Sequence, residues 1–287
     1  MMDVPDFIEG DLRIALTDGQ RLVTEVDGVT VVWHSWGEQD SATVVLLHGG
    51  SGSWLHWVRN IAALRDAGWR VLVPDLPGFG DSDLPPGCVD VDALPFYLHD
   101  GLQQLAPQGP VQLVGFSFGG MTAGLWLQAY PQDAHALVLV GAPGMGLQTA
   151  VRTPLKGWRH LATSEAQEEI HKYNLMALMF QNASALDPLA LALHTANVHR
   201  DRMPRRRLSS TDILARALPD VQVPVSAIYG EHDALYRERL PEVQGAMQML
   251  CGQWNRWTTV SGAGHWVQYE AAQAFNAALI QTLSDQA

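Results

Sequence analysis

Short apolar runs recur along the chain and are typical of strands that are buried on both faces of a sheet. The runs are TVVLLH (43–48), WRVLVPD (69–75), VQLVGF (111–116), HALVLVGA (135–142), VPVSAIYG (223–230) and NRWTTVSG (255–262). Helical periodicity is found in the segments between the earlier runs, at residues 54–66, 91–105 and 121–130. This alternation predicts an α/β fold with a mostly parallel sheet, helices on both of its faces, and a ligand site at the carboxyl ends of the strands.

Two parts of the chain depart from this alternation. Near the amino terminus, RLVTEV (21–26) and VTVVWHSW (29–36) flank an Asp-Gly pair, which predicts an antiparallel hairpin with a tight turn. In the middle, residues 145–218 show helix and loop signals and no strand pattern. We therefore expect one core formed by residues 1–144 and 219–287, with residues 145–218 inserted as a helical lid.

Composition narrows the function classes. The 287 residues are 47% hydrophobic and 17% charged, as in globular proteins, and the apolar runs are too short to span a membrane. A formal net charge of -12 argues against a nucleic-acid partner. The acidic amino terminus lacks the pattern of a secretory signal, so a cytoplasmic location is expected. Cys88 and Cys251 offer neither a disulfide framework nor metal-ligand spacing.

The charge is unevenly distributed. Residues 152–216 hold ten Lys or Arg against six Asp or Glu, although the whole chain is acidic. Five arginines lie within HRDRMPRRR (199–207), namely Arg200, Arg202, Arg205, Arg206 and Arg207. A guanidinium there can hold a substrate carboxylate or the phosphates of a coenzyme A thioester. Alternatively, the segment is a solvated connection that pairs with the acidic body of the protein.

The candidate nucleophile is Ser117, within the Gly-Phe-Ser-Phe-Gly sequence of residues 115–119. This pattern follows an apolar strand and precedes a helix, which is the context of a nucleophile elbow. The flanking glycines allow a close approach of backbones where a Cβ would clash. Because a serine hydroxyl needs both a base and oxyanion donors, the elbow predicts further partners elsewhere in the chain.

The base and the acid are expected after later strands, in the order serine, acid, histidine. His265 follows the last predicted strand within a glycine-flanked turn, and we assign it as the general base. Asp233 follows the preceding predicted strand and is assigned to orient His265, with Glu231 as the competing carboxylate.

The glycine loop after the first parallel strand, residues 48–53, is expected to supply the second oxyanion donor. The N–H groups of Gly50 and Phe118 are the predicted pair. The loop lacks the spacing of a nucleotide-binding loop, and His48 is expected to form a hydrogen bond within it. The candidate substrate-pocket residues are Ser51, Trp54, Phe116, Met176, Met179, Phe180 and Trp266.

These motifs together resemble the α/β-hydrolase fold superfamily over nearly the whole chain. The matching segments are HGGSGSW (48–54), PDLPGFGDSD (74–83), GFSFGG (115–120), GEHDALY (230–236) and GAGHWVQYEAAQAFN (262–276). The resemblance implies a serine hydrolase with a Ser117, Asp233 and His265 triad. No metal or organic cofactor is expected, and the expected partner is a small-molecule substrate.

The type of hydrolase is less sharply defined. Serine at the nucleophile position disfavours epoxide hydrolases and haloalkane dehalogenases, which carry aspartate there. The C-terminal segment is similar to that of meta-cleavage-product hydrolases, in which a tryptophan follows the histidine, as Trp266 does here. That subfamily usually carries asparagines where this chain has Phe116 and His56. We therefore expect an ester hydrolase for an apolar acyl group; carbon-carbon bond hydrolysis, thioester hydrolysis and a small-molecule receptor remain alternatives.

Overall fold

A computed structural model of the protein describes residues 11–106, 109–147 and 153–286. The strands form one eight-stranded sheet in the order β1-β2-β4-β3-β5-β6-β7-β8. The strands are β1 (Gln20–Val26), β2 (Val29–Trp36), β3 (Thr43–Leu47), β4 (Arg70–Pro74), β5 (Val111–Phe116), β6 (Ala134–Val140), β7 (Val225–Gly230) and β8 (Trp254–Val260). Strands β1 and β2 pair antiparallel, as do β2 and β4, and every other neighbouring pair is parallel. The predicted parallel sheet with an amino-terminal hairpin is confirmed.

Helices cover both faces of this sheet. They are α1 (Asp11–Thr17), α2 (Ile61–Asp66), α3 (Pro95–Leu105), α4 (Phe118–Ala129), α5 (Ser164–Leu178), α6 (Pro188–His199), α7 (Ile213–Ala217), α8 (Leu240–Leu250), α9 (Val267–Glu270) and α10 (Ala272–Ser284). Short 3-10 helices are Trp54–Trp57, Val91–Ala93, Ala183–Ala185, Leu208–Ser210, Leu218–Asp220 and Arg237–Arg239.

The apolar core has two layers, one on each face of the sheet. All six residues of β5 are buried, and neighbours along it point to opposite layers, Leu113 to one and Val114 to the other. The first layer includes side chains of α3, α4 and α8, and the second includes side chains of α2 and α10. A strand covered on both faces cannot alternate apolar and polar residues, which explains why all of its residues except Gln112 are apolar or glycine.

Two predicted helices are interrupted. Residues 54–66 form a 3-10 turn, Trp54–Trp57, followed by α2, instead of one continuous helix. The Ser53 side chain accepts the Leu55 N–H and fixes the 3-10 turn, so the segment starts as a tighter coil. In residues 91–105 a 3-10 turn likewise precedes α3, which begins at Pro95 because proline suits the first helical position.

Within residues 145–218, the described residues 145–147 and 153–218 contain the helices α5, α6 and α7 and no strand. Part of this segment packs on the sheet layers, since Leu175, Leu193 and Leu214 are each at most 3% exposed. The loops after β3, β5, β6, β7 and β8 meet below the segment, at the carboxyl ends of the parallel strands. This edge of the sheet therefore holds Ser117, Asp233, His265 and the glycine loop after β3.

Candidate active site

The turn between β5 and α4 holds Ser117 in a strained backbone conformation, with φ 51° and ψ -116°. The Ser117 N–H donates to the carbonyl of Val140 at 2.8 Å, which ties the turn to β6. An added Cβ at Gly119 would lie 2.5 Å from the Leu47 carbonyl oxygen, and one at Gly115 would collide with the Gly119 carbonyl. The glycines around the serine are thus required for the close approach of α4 to β3 and β5.

Three side chains form one hydrogen-bonded chain. His265 Nδ1–H donates to Asp233 Oδ2 at 2.8 Å, and His265 Nε2 lies 2.9 Å from Ser117 Oγ. Because an ionised carboxylate only accepts, the bond to Asp233 leaves Nε2 as the acceptor for the serine hydroxyl. The side chains of His265 and Asp233 are 2% and 0% exposed. Such an arrangement can remove a proton from the serine during nucleophilic attack.

The carboxylate beside His265 is Asp233, and the alternative Glu231 lies elsewhere. Asp233 Oδ1 accepts the Leu235 N–H at 2.9 Å, so both carboxylate oxygens have a donor that orients the group. Glu231 is half exposed and instead accepts the N–H of Gly262 at 2.9 Å. The geometry therefore favours Asp233 as the orienting acid.

The glycine loop after β3 runs beside the start of α4. A Cβ built on Gly50 would lie 3.6 Å from the Cβ of Phe118, so the two predicted oxyanion donors belong to adjoining backbones. Phe118 is the first residue of α4, where helix N–H groups lack partners within the helix. Among the described residues, neither the Gly50 nor the Phe118 N–H donates to a protein acceptor. Both groups are available for a developing negative charge.

Two buried histidines hold this loop from within. His48 Nδ1–H donates to the Gly49 carbonyl at 2.8 Å, and its Nε2 accepts the Leu76 N–H at 2.9 Å. His56 Nδ1 accepts the Gly49 N–H at 3.2 Å. Burial lowers the pKa of His48 to about 4 and that of His56 well below its ordinary value, so both rings are neutral at pH 7. Nothing in the sequence indicated that His56 would hold this loop.

A buried carboxylate supports the same loop from the neighbouring strand. Asp75 follows β4, is fully buried, and accepts the N–H groups of Trp54 and Asp81 at 2.9 Å and 2.8 Å. Burial raises the pKa of Asp75 to about 6. Ionising this group therefore costs more than it would in water, although the two N–H groups offset part of that cost.

A cavity of about 440 Å³ opens above Ser117. Of the predicted pocket residues, three lie on its wall, namely Ser51, Phe116 and Met179. The wall also includes Leu155, Leu178, Pro204, Arg206 and Leu235. Apolar side chains predominate on this wall. Of these five, the sequence had indicated only Arg206, as a possible partner of an anionic group, and Leu178, within an apolar run of residues 145–218.

Four predicted pocket residues lie away from this cavity. Trp54 stacks on the ring of His34 and packs at a tilt against that of Trp36, both in β2, with centroid distances of 4.7 Å and 5.4 Å. Trp266 is fully buried. Its indole N–H donates to the His56 carbonyl, and its ring packs on neighbouring aromatic rings. Met176 and Phe180 face a neighbouring cavity instead. Stacking against other aromatic rings explains why these two tryptophans do not reach the substrate space.

The basic segment of residues 199–207 is largely paired with the rest of the protein. Arg200 pairs with Asp81, Arg202 donates to backbone carbonyls that follow β4, and Arg206 pairs with Asp201. Only Arg206 of the five arginines lies on the wall of the cavity around Ser117. Burial opposes ionisation of Asp201, but the hydrogen bonds and charge of Arg206 outweigh burial and lower the Asp201 pKa.

Among the described residues, no group of three or more His, Cys, Asp or Glu side chains has the geometry to bind a metal ion. No helix in the described ranges has the length and apolar character needed to cross a membrane.

A family model described as alpha/beta hydrolase fold matches residues 42–215. A 2-hydroxy-6-oxo-6-phenylhexa-2,4-dienoate hydrolase of Comamonas testosteroni is 27% identical over 266 residues, covering 85% of this chain and 88% of that one. A carboxylesterase structure from Bacillus subtilis superposes with a TM-score of 0.76 at 19% identity, over 95% and 94% of the two chains. A meta-cleavage product hydrolase structure from Pseudomonas fluorescens gives 0.72 at 22% identity, over 92% and 97%. The family match covers more than half of the sequence, and the chain therefore belongs to the alpha/beta hydrolase fold family and is a hydrolase.

Proposed function

We propose that this protein is a serine hydrolase that cleaves carboxylic esters of small to medium, largely apolar acyl groups through an acyl-enzyme. The observation that carries the proposal is the hydrogen-bonded chain of Ser117, His265 and Asp233, which ends at the floor of an apolar cavity. A polarised serine beside apolar walls suits an ester whose acyl group is uncharged.

In this mechanism, Ser117 Oγ attacks the ester carbonyl carbon while His265 Nε2 takes the hydroxyl proton. The N–H groups of Gly50 and Phe118 receive the carbonyl oxygen as it becomes negative. His265 then gives its proton to the leaving alcohol, and the acyl group stays on Ser117. Water, deprotonated by His265, attacks the acyl-enzyme and releases the acid, which restores the serine. Asp233 keeps the imidazole in the required tautomer and stabilises its charged form.

Carbon-carbon bond hydrolysis is the second candidate, because the relative from Comamonas testosteroni carries a dienoate hydrolase name. The name of its substrate includes a carboxylate. A cavity that binds such a carboxylate needs a cationic side chain that is not already paired. Here the one arginine or lysine among the described cavity-wall residues, Arg206, is already paired with Asp201. Phe116, next to the serine, adds an apolar side chain to the same cavity. Both observations favour the ester.

The deciding experiment compares wild type with Ser117→Ala on p-nitrophenyl butyrate and on 2-hydroxy-6-oxo-6-phenylhexa-2,4-dienoate. We expect ester turnover by wild type and a loss of about 10⁴- to 10⁶-fold in kcat for the variant. Turnover of the dienoate alone would replace the ester proposal with the carbon-carbon one. A single stoichiometric acylation without turnover would indicate a receptor instead of an enzyme.

We also propose that residues 145–218 act as a lid over Ser117. Leu155, Leu178 and Arg206 all come from this segment and lie on the cavity wall. We propose, separately, a cytoplasmic location, which fractionation of cells that express the full chain tests. For the lid, limited proteolysis should cut within residues 145–218 first, and more slowly after Ser117 is labelled with a long-chain phosphonate. An unchanged cutting rate would contradict the lid.

A further inference from the structure

One partly buried arginine of the helical segment touches the loop that carries the first oxyanion donor. The Arg206 side chain is 17% exposed, and its two terminal nitrogens lie 2.8 Å and 3.0 Å from the two carboxylate oxygens of Asp201. Arg206 Nη2 also donates to Ser51 Oγ at 3.1 Å, and Ser51 Oγ donates to Asp201 Oδ2 at 2.6 Å. The three side chains form a closed ring of hydrogen bonds, here called the Ser51 ring.

The Ser51 ring acts on a strained backbone position. Ser51 has φ 51°, in the left-handed region that residues other than glycine adopt only at a cost. Ser51 directly follows Gly50, so its conformation helps to set the direction of the loop that carries the Gly50 N–H. The Arg206 guanidinium is close to Gly50 itself, since a Cβ built there would lie 3.4 Å from Nη2.

Arg206 also contacts the element that carries the second donor. Its guanidinium carbon lies 5.4 Å from the centre of the Phe118 ring and 4.9 Å from that of Phe79. A guanidinium over an aromatic face is attracted by the ring and packs against it. One side chain thereby lies beside Gly50 and packs on the ring of Phe118, the two residues whose N–H groups form the proposed oxyanion site.

We propose that Arg206 is a positioning residue for the oxyanion site, acting through Asp201 and Ser51 on Gly50 and through ring packing on Phe118. This inference rests on the proposed function, because it assumes that Gly50 and Phe118 stabilise an oxyanion. Since Arg206 and Asp201 both belong to residues 145–218, the oxyanion site is complete only when this segment is docked on the core. A substrate that holds the segment against the core therefore also holds the oxyanion donors in place.

The test compares Arg206→Met and Arg206→Lys with the control Arg205→Met, which removes a neighbouring exposed charge. We expect kcat for p-nitrophenyl butyrate to fall about 10- to 100-fold in both Arg206 variants with little change in KM, as for a misplaced donor. Lysine does not rescue because it lacks the two-pronged geometry. An alkyl trifluoromethyl ketone, which forms an oxyanion on the serine, should lose affinity by the factor by which kcat/KM falls.

Three results would overturn the proposal: an unchanged kcat, a change in KM alone, or a fall in kcat with no loss of ketone affinity. If Arg206→Met does not fold, Ser51→Ala removes only the hydroxyl of the ring and must show the same parallel loss in kcat and ketone affinity. If wild type hydrolyses no ester, the proposed function fails, and labelling of Ser117 by a fluorophosphonate then tests the positioning role. Slower labelling of Arg206→Met supports the role, and equal labelling rules it out.

Discussion

Backbone strain at Ser117 predicts that a glycine variant is more stable than an alanine variant, the reverse of the usual order within a helix. Ser117 has φ 51° and ψ -116°, a conformation that a residue with a Cβ adopts only at a cost. Ser117→Ala and Ser117→Gly both lose the hydroxyl and therefore the 2.9 Å contact with His265. The difference in stability between the two variants consequently isolates the effect of the Cβ. We expect the glycine variant to be the more stable of the two.

The size of this difference follows from two opposing contributions. Holding a residue other than glycine in such a conformation costs about 1–3 kcal/mol, which glycine avoids. The glycine variant also has a more flexible unfolded state, which lowers its free energy of unfolding by about 0.4–1 kcal/mol. The glycine variant should therefore exceed the alanine variant by about 1 kcal/mol in free energy of unfolding. For a domain of this size, that corresponds to about 2–4 °C in Tm.

Urea and thermal denaturation of the two variants measure the difference directly. The matched control is Gly245→Ala in α8, where an added Cβ meets nothing within 4 Å. There, alanine should stabilise the protein by about 0.5–1 kcal/mol, the ordinary ranking within a helix. If Ser117→Ala is as stable as Ser117→Gly while the control behaves normally, the turn stores no strain and the reasoning is wrong.

Three further predictions concern the surrounding groups. Asp233→Asn should lower kcat for ester hydrolysis about 10⁴-fold. Glu231→Gln should leave kcat unchanged, because Glu231 does not contact His265. A large loss in Glu231→Gln and none in Asp233→Asn would show that Glu231 is the orienting acid. Since burial raises the Asp75 pKa from 3.8 to about 6, the unfolded chain releases this proton at lower pH than the folded protein does. The Asp75 contribution to stability should therefore fall by about 2 kcal/mol as pH rises from 4 to 7. Asp75→Asn should remove that slope in urea denaturation, and an unchanged slope would contradict the assignment. Gly119→Ala should destabilise the protein by about 1–3 kcal/mol through its clash with the β3 carbonyl, and denaturation at wild-type urea concentrations would contradict this.

The sheet could be predicted because its strands are buried on both faces. Strand β5 occupies residues 111–116, as the apolar run predicts. The order of the strands in space was not predicted, because pairing depends on contacts between distant segments. Helix α1 also has no clear signal in the sequence, since its seven residues are too few for a reliable periodicity. Local pattern therefore indicated the elements, and tertiary contacts determined their arrangement.

The candidate site could be predicted where each residue follows a recognisable strand. Ser117 directly follows β5, and Asp233 and His265 lie in the loops that follow β7 and β8, so the fold itself brings these residues together. The pocket was less predictable, because aromatic residues near the motifs serve packing as readily as binding. Trp266 adjoins His265 in sequence but points into the core, where its indole N–H finds a backbone acceptor.

Arg206 shows why the chemistry of the basic segment could not be derived from the sequence. Five arginines occur within nine residues, and a count of charges treats them alike. Their roles differ because their partners differ. Arg206 pairs with Asp201, nearby in the chain, and with Ser51, which is 155 positions away. Because an arginine already paired with a carboxylate gains less from an anionic ligand, the excess of basic residues does not imply an anionic substrate. The contacts of Arg200 with Asp81 and of Arg206 with Ser51 instead join the basic segment to the core.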